Sequence, residues 1–149
     1  MAVSLEPITK DNVGAVFDLT VEPEQAPFVA PNPWSLAQAL AQYETAWPRA
    51  VVADEEVVGF LMLEIDAESE YDTPFYLWRL MVDQQHQRRG YGRSAVALAV
   101  DEVRSRGGSE LHTSWVEGDH GPEQFYRNLG FEPTGEIIDD EVVARFRIA

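Results

Sequence analysis

Residues 77–107 read LWRLMVDQQHQRRGYGRSAVALAVDEVRSRG. An apolar run, 77–82, predicts a strand; a polar, basic loop follows, and then a helix that carries Val96, Val100 and Val103 along one side. Strand, loop and helix N-terminus in that order make an anion-binding junction. The first-turn N–H groups have no helical acceptors and point outward, and the helix dipole adds partial positive charge. Gly90 and Gly92 remove side chains where a ligand would approach the backbone. Arg88, Arg89 and Arg93 supply full charges.

Composition bounds what can surround this junction. The chain has 149 residues, 45% of them apolar and 11% aromatic, which allows one folded unit with a real core. There is no cysteine, so there is no disulfide, no thiol nucleophile and no cysteine zinc site. No apolar run approaches the ~20 residues of a membrane span. The opening MAVSLEPITKD lacks the basic-then-apolar pattern of a signal peptide. The expected location is cytoplasmic, without a membrane partner. The net charge of −15 argues against nucleic-acid binding, which relies on Lys and Arg at phosphates. Yet six of the eleven basic residues, Arg79, Arg88, Arg89, Arg93, Arg104 and Arg106, fall within 77–107. An anion pocket inside an anionic body is the expectation. The surrounding acidity either aids solubility or attracts a cationic substrate.

Outward from the junction, 3–8 reads as an edge strand, and Thr9 as the N-cap of a helix burying Val13, Val16 and Phe17. Prolines at 23, 27, 31 and 33 predict an irregular or extended path. Ser35 and Gln38 form a capping box for a helix with Leu36, Ala39, Leu40, Tyr43 and Trp47 inward, ended by Pro48. Strands are expected over 50–53 and 57–65, with a turn at 54–56. An exposed loop over 66–72 precedes a strand over 75–82. The helix from Arg93 stops at Gly107-Gly108, a strand covers 110–116, Pro122 starts a helix ended by Gly130, and strands at 137–138 and 142–148 close the chain. Strands and helices so ordered give a mixed α/β sheet with helices on its faces.

The pattern Gln87-Arg88-Arg89-Gly90-Tyr91-Gly92 resembles the Gln/Arg-x-x-Gly-x-Gly/Ala signature of the GNAT N-acetyltransferases, and Leu80-Met81-Val82 resembles the strand that leads into it. Downstream, Ser114-Trp115-Val116, Asp119 and Phe125-Tyr126-Arg127-Asn128-Leu129-Gly130-Phe131 resemble that family's second element. The resemblance implies the GNAT fold, a mixed and mostly antiparallel central sheet flanked by helices on both faces. It also implies a single N-acetyltransferase domain over 1–149. It implies acetyl-CoA as cosubstrate and no metal, with Leu80, Met81, Val82, Gln87, Arg88, Arg89, Gly90, Tyr91, Gly92, Arg93, Ser94, Asp119 and Tyr126 as its binding residues. Two departures concern the pantetheine arm: Asp119 stands where Asn is usual and Pro122 where a small Ala is usual. Gln84 replaces a common Pro.

Acetyl transfer from a thioester to an amine sets chemical requirements. A lysine-like amine has pKa ~10.4, so only about one molecule in a few thousand is neutral at pH 7, a cost of ~4.6 kcal/mol. The leaving thiolate resembles cysteine, pKa ~8.5, and a phenol of pKa ~10 can hydrogen-bond to it. By resemblance Tyr126 is the general acid, and it works best with its pKa lowered by Arg127 or the cradle arginines. The backbone N–H of Val82 serves as donor to the carbonyl oxygen in the transition state, provided a splayed strand frees it. Glu64 is a candidate base through a water, set against simple exposure at a strand end.

The segments at 24–32 and 35–39, with Trp78-Arg79-Leu80-Met81, resemble bacterial spermidine/spermine acetyltransferases. That resemblance implies a polyamine acceptor, with Glu22, Glu24 and Glu44 at its ammonium groups and Trp34 and Trp78 in cation–π contact. The alternatives are another small amine, a peptide or protein N-terminus, or a non-catalytic acetyl-CoA-binding module. Gly90-Tyr91-Gly92-Arg93-Ser94-Ala95 also fits a dinucleotide fingerprint, with Glu110 at the ribose position. His86, His112 and His120 have no neighbours at metal-ligand spacing. Many relatives dimerise, so a homodimer is an open expectation, although no seam is legible.

Overall fold

The structure, a computed structural model, describes residues 2–69 and 73–149. Seven strands form one sheet: β1 Val3–Pro7, β2 Ala46–Ala53, β3 Glu56–Ile65, β4 Phe75–Val82, β5 Glu110–Trp115, β6 Glu132–Ile138 and β7 Glu141–Arg147, in the order β1-β2-β3-β4-β5-β7-β6. Among the described residues, only β4 and β5 pair in parallel. The helices are α1 Val13–Asp18, α2 Asn32–Ala41, α3 Tyr91–Ser105 and α4 Glu123–Leu129. One core lies beneath α3 and α4, around Leu61, Leu77, Ala95, Val96, Val103, Leu111 and Phe131. The other lies beneath α1 and α2, around Val16, Ala39, Phe60, Met62 and Met81. This is the GNAT fold expected, with helices on both faces of a mostly antiparallel sheet. Among the described residues no helix is long and apolar enough to cross a membrane.

The strand at 75–82 and the hairpin turn at Asp54 and Glu55, both with positive φ, agree with the sequence reading. Several elements differ. The regular turns of α1 start at Val13, but Thr9 caps the turn that leads into them: its hydroxyl oxygen accepts from the Asp11 N–H at 3.2 Å and its carbonyl oxygen from the Val13 N–H at 2.9 Å; Val16 is buried, while Val13 and Phe17 stay exposed at 38% and 59%. The proline-rich stretch winds into a short 3-10 helix, Pro23–Phe28, rather than an extended path. Its N-terminus is held by Glu22 and Gln25 as a reciprocal cap. The helix expected from Ser35 starts three residues earlier, because proline suits the first helical turn, where its missing N–H costs nothing. Ser35 is therefore interior and fully buried, and Leu40 and Tyr43 face outward. Trp47 and Pro48 belong to β2, not to the helix. Pro48 is tolerated there because β1 reaches only as far as Arg49, so this end of β2 has a free edge. β6 starts five residues before the expected 137. Of the loop expected over 66–72, residues 66–69 form a turn, and 70–72 lie outside the described residues.

One irregularity shapes the centre of the sheet. Met62 lies opposite Arg79 and Leu63 opposite Leu77, so Trp78 is the extra residue of a β-bulge in β4. A bulge bends its strand and increases local twist. β4 and β5 accordingly pair only at Tyr76–His112 and Leu77–Thr113. From Trp78 onward they diverge, opening a gap between residues 78–82 and 114–116.

Candidate active site

Gly90 caps α3 with φ of +82°, a conformation that glycine adopts without strain. The N–H of Ser94 donates to the Gly90 carbonyl oxygen at 3.0 Å, which is the first helical bond. The amides of Tyr91, Gly92 and Arg93 thus have no helical acceptor. All three residues line a cavity of about 920 Å³, together with Arg88, Gln87, Met81 and Val82. Arg88 sits at φ of +66° and helps to fold the loop into a concave turn. Gly92 has a second reason beside the one expected. A Cβ there would stand 3.2 Å from the Phe125 ring, so this glycine makes room for α4. Arg89, Ser94 and Asp119 do not line the cavity.

The Val82 backbone points into the same space. The N–H of Asp83 donates to the Val58 carbonyl oxygen at 2.8 Å, while Val82 lies opposite Gly59. That combination makes Val82–Gly59 a non-hydrogen-bonded pair, whose N–H and C=O groups point away from β3. They face the side from which β5 has departed. The Val82 carbonyl oxygen accepts from Gln87 Nε2 at 3.0 Å. Leu80, two residues earlier and opposite Leu61, has the same orientation. The splay that the chemistry demanded is therefore present, caused by the bulge at Trp78.

A second cavity of about 300 Å³ occupies the β4–β5 gap itself, lined by Leu77, Trp78 and Arg79 on one strand and by Thr113, Ser114 and Trp115 on the other. Phe28, Val29, Leu80, Pro122 and Tyr126 line both cavities, so the two meet there. Tyr126 is 6% exposed. Its ring stacks on Trp115 at 5.7 Å and meets Phe125 and Phe131 edge-on at 5.1 and 5.4 Å. Burial pushes the phenol well above its ordinary range, and a hydrogen bond with Thr113 offsets this in part. The expected lowering does not occur: Arg127 is paired with Glu123 at 2.7 Å instead. Tyr126 is therefore a protonated donor at neutral pH.

The expected acceptor wall is dispersed. Trp78 lines the gap cavity. Glu22 and Glu24 line the larger cavity instead. Trp34 is 58% exposed, and Trp34, Glu44 and Glu64 line neither. The Glu64 carboxyl is held above its usual range by burial and by Asp66, but it does not line the gap cavity. The carboxylate actually in the gap cavity is Glu141, which accepts from Ser114 Oγ at 3.0 Å. Sequence reading placed Glu141 in a turn. Only the pairing of β7 with β5, Ser114 opposite Val143, brings it there. Arg79 was visible as a basic residue, but its place beside the bulge was not.

Residues 9–131 match the Acetyltransferase (GNAT) family. The chain belongs to this family. It is 30% identical over 122 residues to a mycothiol acetyltransferase of Cellulomonas flavigena, covering 80% of this chain and 33% of that one. The chain thus spans about one third of that relative. It is 22% identical over 141 residues to a spermine/spermidine N(1)-acetyltransferase of Bacillus subtilis, with 92% of each covered. The PaiA N-acetyltransferase of Thermoplasma acidophilum, solved in complex with coenzyme A, superposes with a TM-score of 0.75 at 14% identity over 99% of both chains. The dinucleotide reading falls with the family match; Glu110, its ribose acid, lines neither cavity.

Proposed function

We propose that the acetyl transfer typical of this family takes place where the two cavities meet, with acetyl-CoA in the larger one and a small primary amine in the gap. The observation that carries this reading is Tyr126, a buried phenol lining both cavities beside a strand that presents unpaired backbone groups. The residues fit the cosubstrate. The amides of Tyr91, Gly92 and Arg93, with Arg88 and Arg93 side chains, receive a diphosphate. Leu80 and Val82 offer strand-like hydrogen bonds to an extended arm.

The thioester supplies the electrophilic carbonyl. Val82 N–H donates to the carbonyl oxygen as it gains negative charge. The amine nitrogen bonds to the acetyl carbon, the carbon–sulfur bond breaks, and its electron pair goes to sulfur. Glu141 takes the proton that the ammonium must shed to become a nucleophile, and the proton left on nitrogen after attack passes to solvent. Tyr126 holds the departing sulfur as a hydrogen-bond donor. Its raised pKa makes full proton transfer to a thiolate of pKa ~8.5 uphill, so solvent protonates the sulfur.

Two acceptor classes stand. The Bacillus subtilis relative supports a polyamine. The gap cavity, with its single carboxylate, supports a smaller amine. Following free thiol release from acetyl-CoA across a panel of amines tests the reading. Turnover of any primary amine supports it. Tight coenzyme A binding with no turnover would leave a non-catalytic acetyl-CoA-binding module.

A further inference from the structure

Two charged side chains line the gap cavity, Arg79 and Glu141. Arg79 is braced by three oxygens, none of them a carboxylate. Its Nε donates to Ser35 Oγ at 3.2 Å, its Nη2 to Gln38 Oε1 at 2.9 Å, and its Nη1 to the Trp78 carbonyl oxygen at 2.9 Å. Ser35 is fully buried and fixed within α2. A guanidinium has five N–H donors, so two remain. Among the described residues, no carboxylate lies within ion-pair distance of Arg79. Burial draws its pKa down, and the field of Glu141 across the cavity draws it back. A half-buried cation held by neutral groups, with donors to spare, is costly unless an anion completes it.

Glu141 faces the cavity from the other wall, with one oxygen taken by Ser114. The two charges thus confront each other without touching. Apolar side chains, Phe28, Leu77 and Trp78, line the space between. A polycation would set an ammonium against Arg79. We propose that the acceptor is an amine that also carries an anionic group, its ammonium on Glu141 and its carboxylate on the free donors of Arg79. A zwitterion of amino-acid type meets both charges and fits the small volume.

The inference rests on the acetyl transfer proposed above. It is tested with a series matched in length: γ-aminobutyrate, its amide, n-butylamine and putrescine, with spermine added. The expected kcat/KM for γ-aminobutyrate exceeds that for the amide and putrescine by about tenfold or more, the worth of a hydrogen bond between charged groups. In Arg79→Met the ratio of acid to amide falls to near one. Arg79→Lys, which keeps the charge and is the milder change, retains part of it. An acid no better than its amide, or putrescine and spermine ahead of both, overturns the zwitterion while acetyl transfer stands. Calorimetric binding of coenzyme A with no turnover of any of these amines overturns both.

Discussion

Thr113 stands between Tyr126 and the last rung of the β4–β5 pairing. Its hydroxyl donates to the Leu77 carbonyl oxygen at 3.0 Å, and its hydrogen bond with the Tyr126 phenol draws that group's pKa part of the way back down. The chain of donors is anchored where the parallel strands part, Leu77 opposite Thr113. Rotation about the phenol's C–O bond would aim its hydrogen at a sulfur in the larger cavity, which Tyr126 lines. The ring itself stays clamped by Trp115, Phe125 and Phe131.

Tyr126→Phe separates the hydroxyl from the ring. The aromatic packing is retained and one donor is lost. The expected result is a fall in kcat of about tenfold to a hundredfold, the worth of a hydrogen bond to a developing charge. The dissociation constant for acetyl-CoA, measured by calorimetry, should change little. An unchanged kcat would confine Tyr126 to packing.

The same residue predicts a pH effect on stability. Its folded pKa lies above the unfolded value of ~10. Between those two values the folded chain holds a proton that the unfolded chain has lost, so stability falls as pH rises. The contribution is fully present below pH ~10. Above it, the wild type should lose about 1.4 kcal/mol per pH unit relative to Tyr126→Phe. Urea denaturation of both proteins at about pH 9 and about pH 11 checks this; a constant difference between them would place the phenol in water.

Much of this site was legible because its residues are contiguous. The strand at 75–82, the glycine loop and the FYRNLGF segment each carry their own periodicity and caps, and the structure places them as read. The acceptor side was not legible, because it is assembled across strands. Glu141 reaches the gap through the β5–β7 pairing, and Arg79 points at Ser35 and Gln38 because of a bulge one residue away. No local pattern marks a bulge between two apolar strands. The phase of α2 was misread for a related reason: a Ser/Gln capping box satisfied the local rule, while Pro31 and Pro33 allowed an earlier start.

The cradle is tied to the proline-rich segment by a pair of amides. Gln87 Nε2 donates to Gln25 Oε1 at 2.9 Å, and Gln25 Nε2 returns a bond to Gln87 Oε1 at 3.2 Å. Gln87 also holds the Val82 carbonyl oxygen. Gln25→Ala removes the bridge and leaves the bond to Val82. It should raise the KM for acetyl-CoA by a few-fold, since each neutral hydrogen bond is worth about 1 kcal/mol. Gln87→Ala should cost more, because it also frees the carbonyl of the residue whose N–H faces the reacting carbonyl oxygen. Equal effects from both substitutions would mean that the contact with Val82 is idle.

Gly59 lies opposite Val82, and its missing side chain keeps β3 and β4 close. A Cβ at Gly59 would stand 2.5 Å from the Met81 carbonyl oxygen, a backbone atom that cannot swing aside. Gly59→Ala must therefore push β4 outward at the residue next to the proposed carbonyl-binding amide. Overpacking of this kind costs about 1–3 kcal/mol. Thermal unfolding should show the loss directly. The displacement should also act on chemistry, since a shift of a few tenths of an ångström at Val82 weakens a donor whose worth depends on its aim. The expected signature is a kcat reduced beyond what the stability loss explains when both proteins are assayed well below their melting temperatures. Gly92→Ala is the control on the other side of the cavity. Its Cβ would press on the ring edge of Phe125 at 3.2 Å, a side chain rather than the strand backbone, so it should disturb acetyl-CoA binding before it disturbs kcat. A Gly59→Ala protein with wild-type kcat would mean that the Val82 amide is not aimed at the reacting carbonyl.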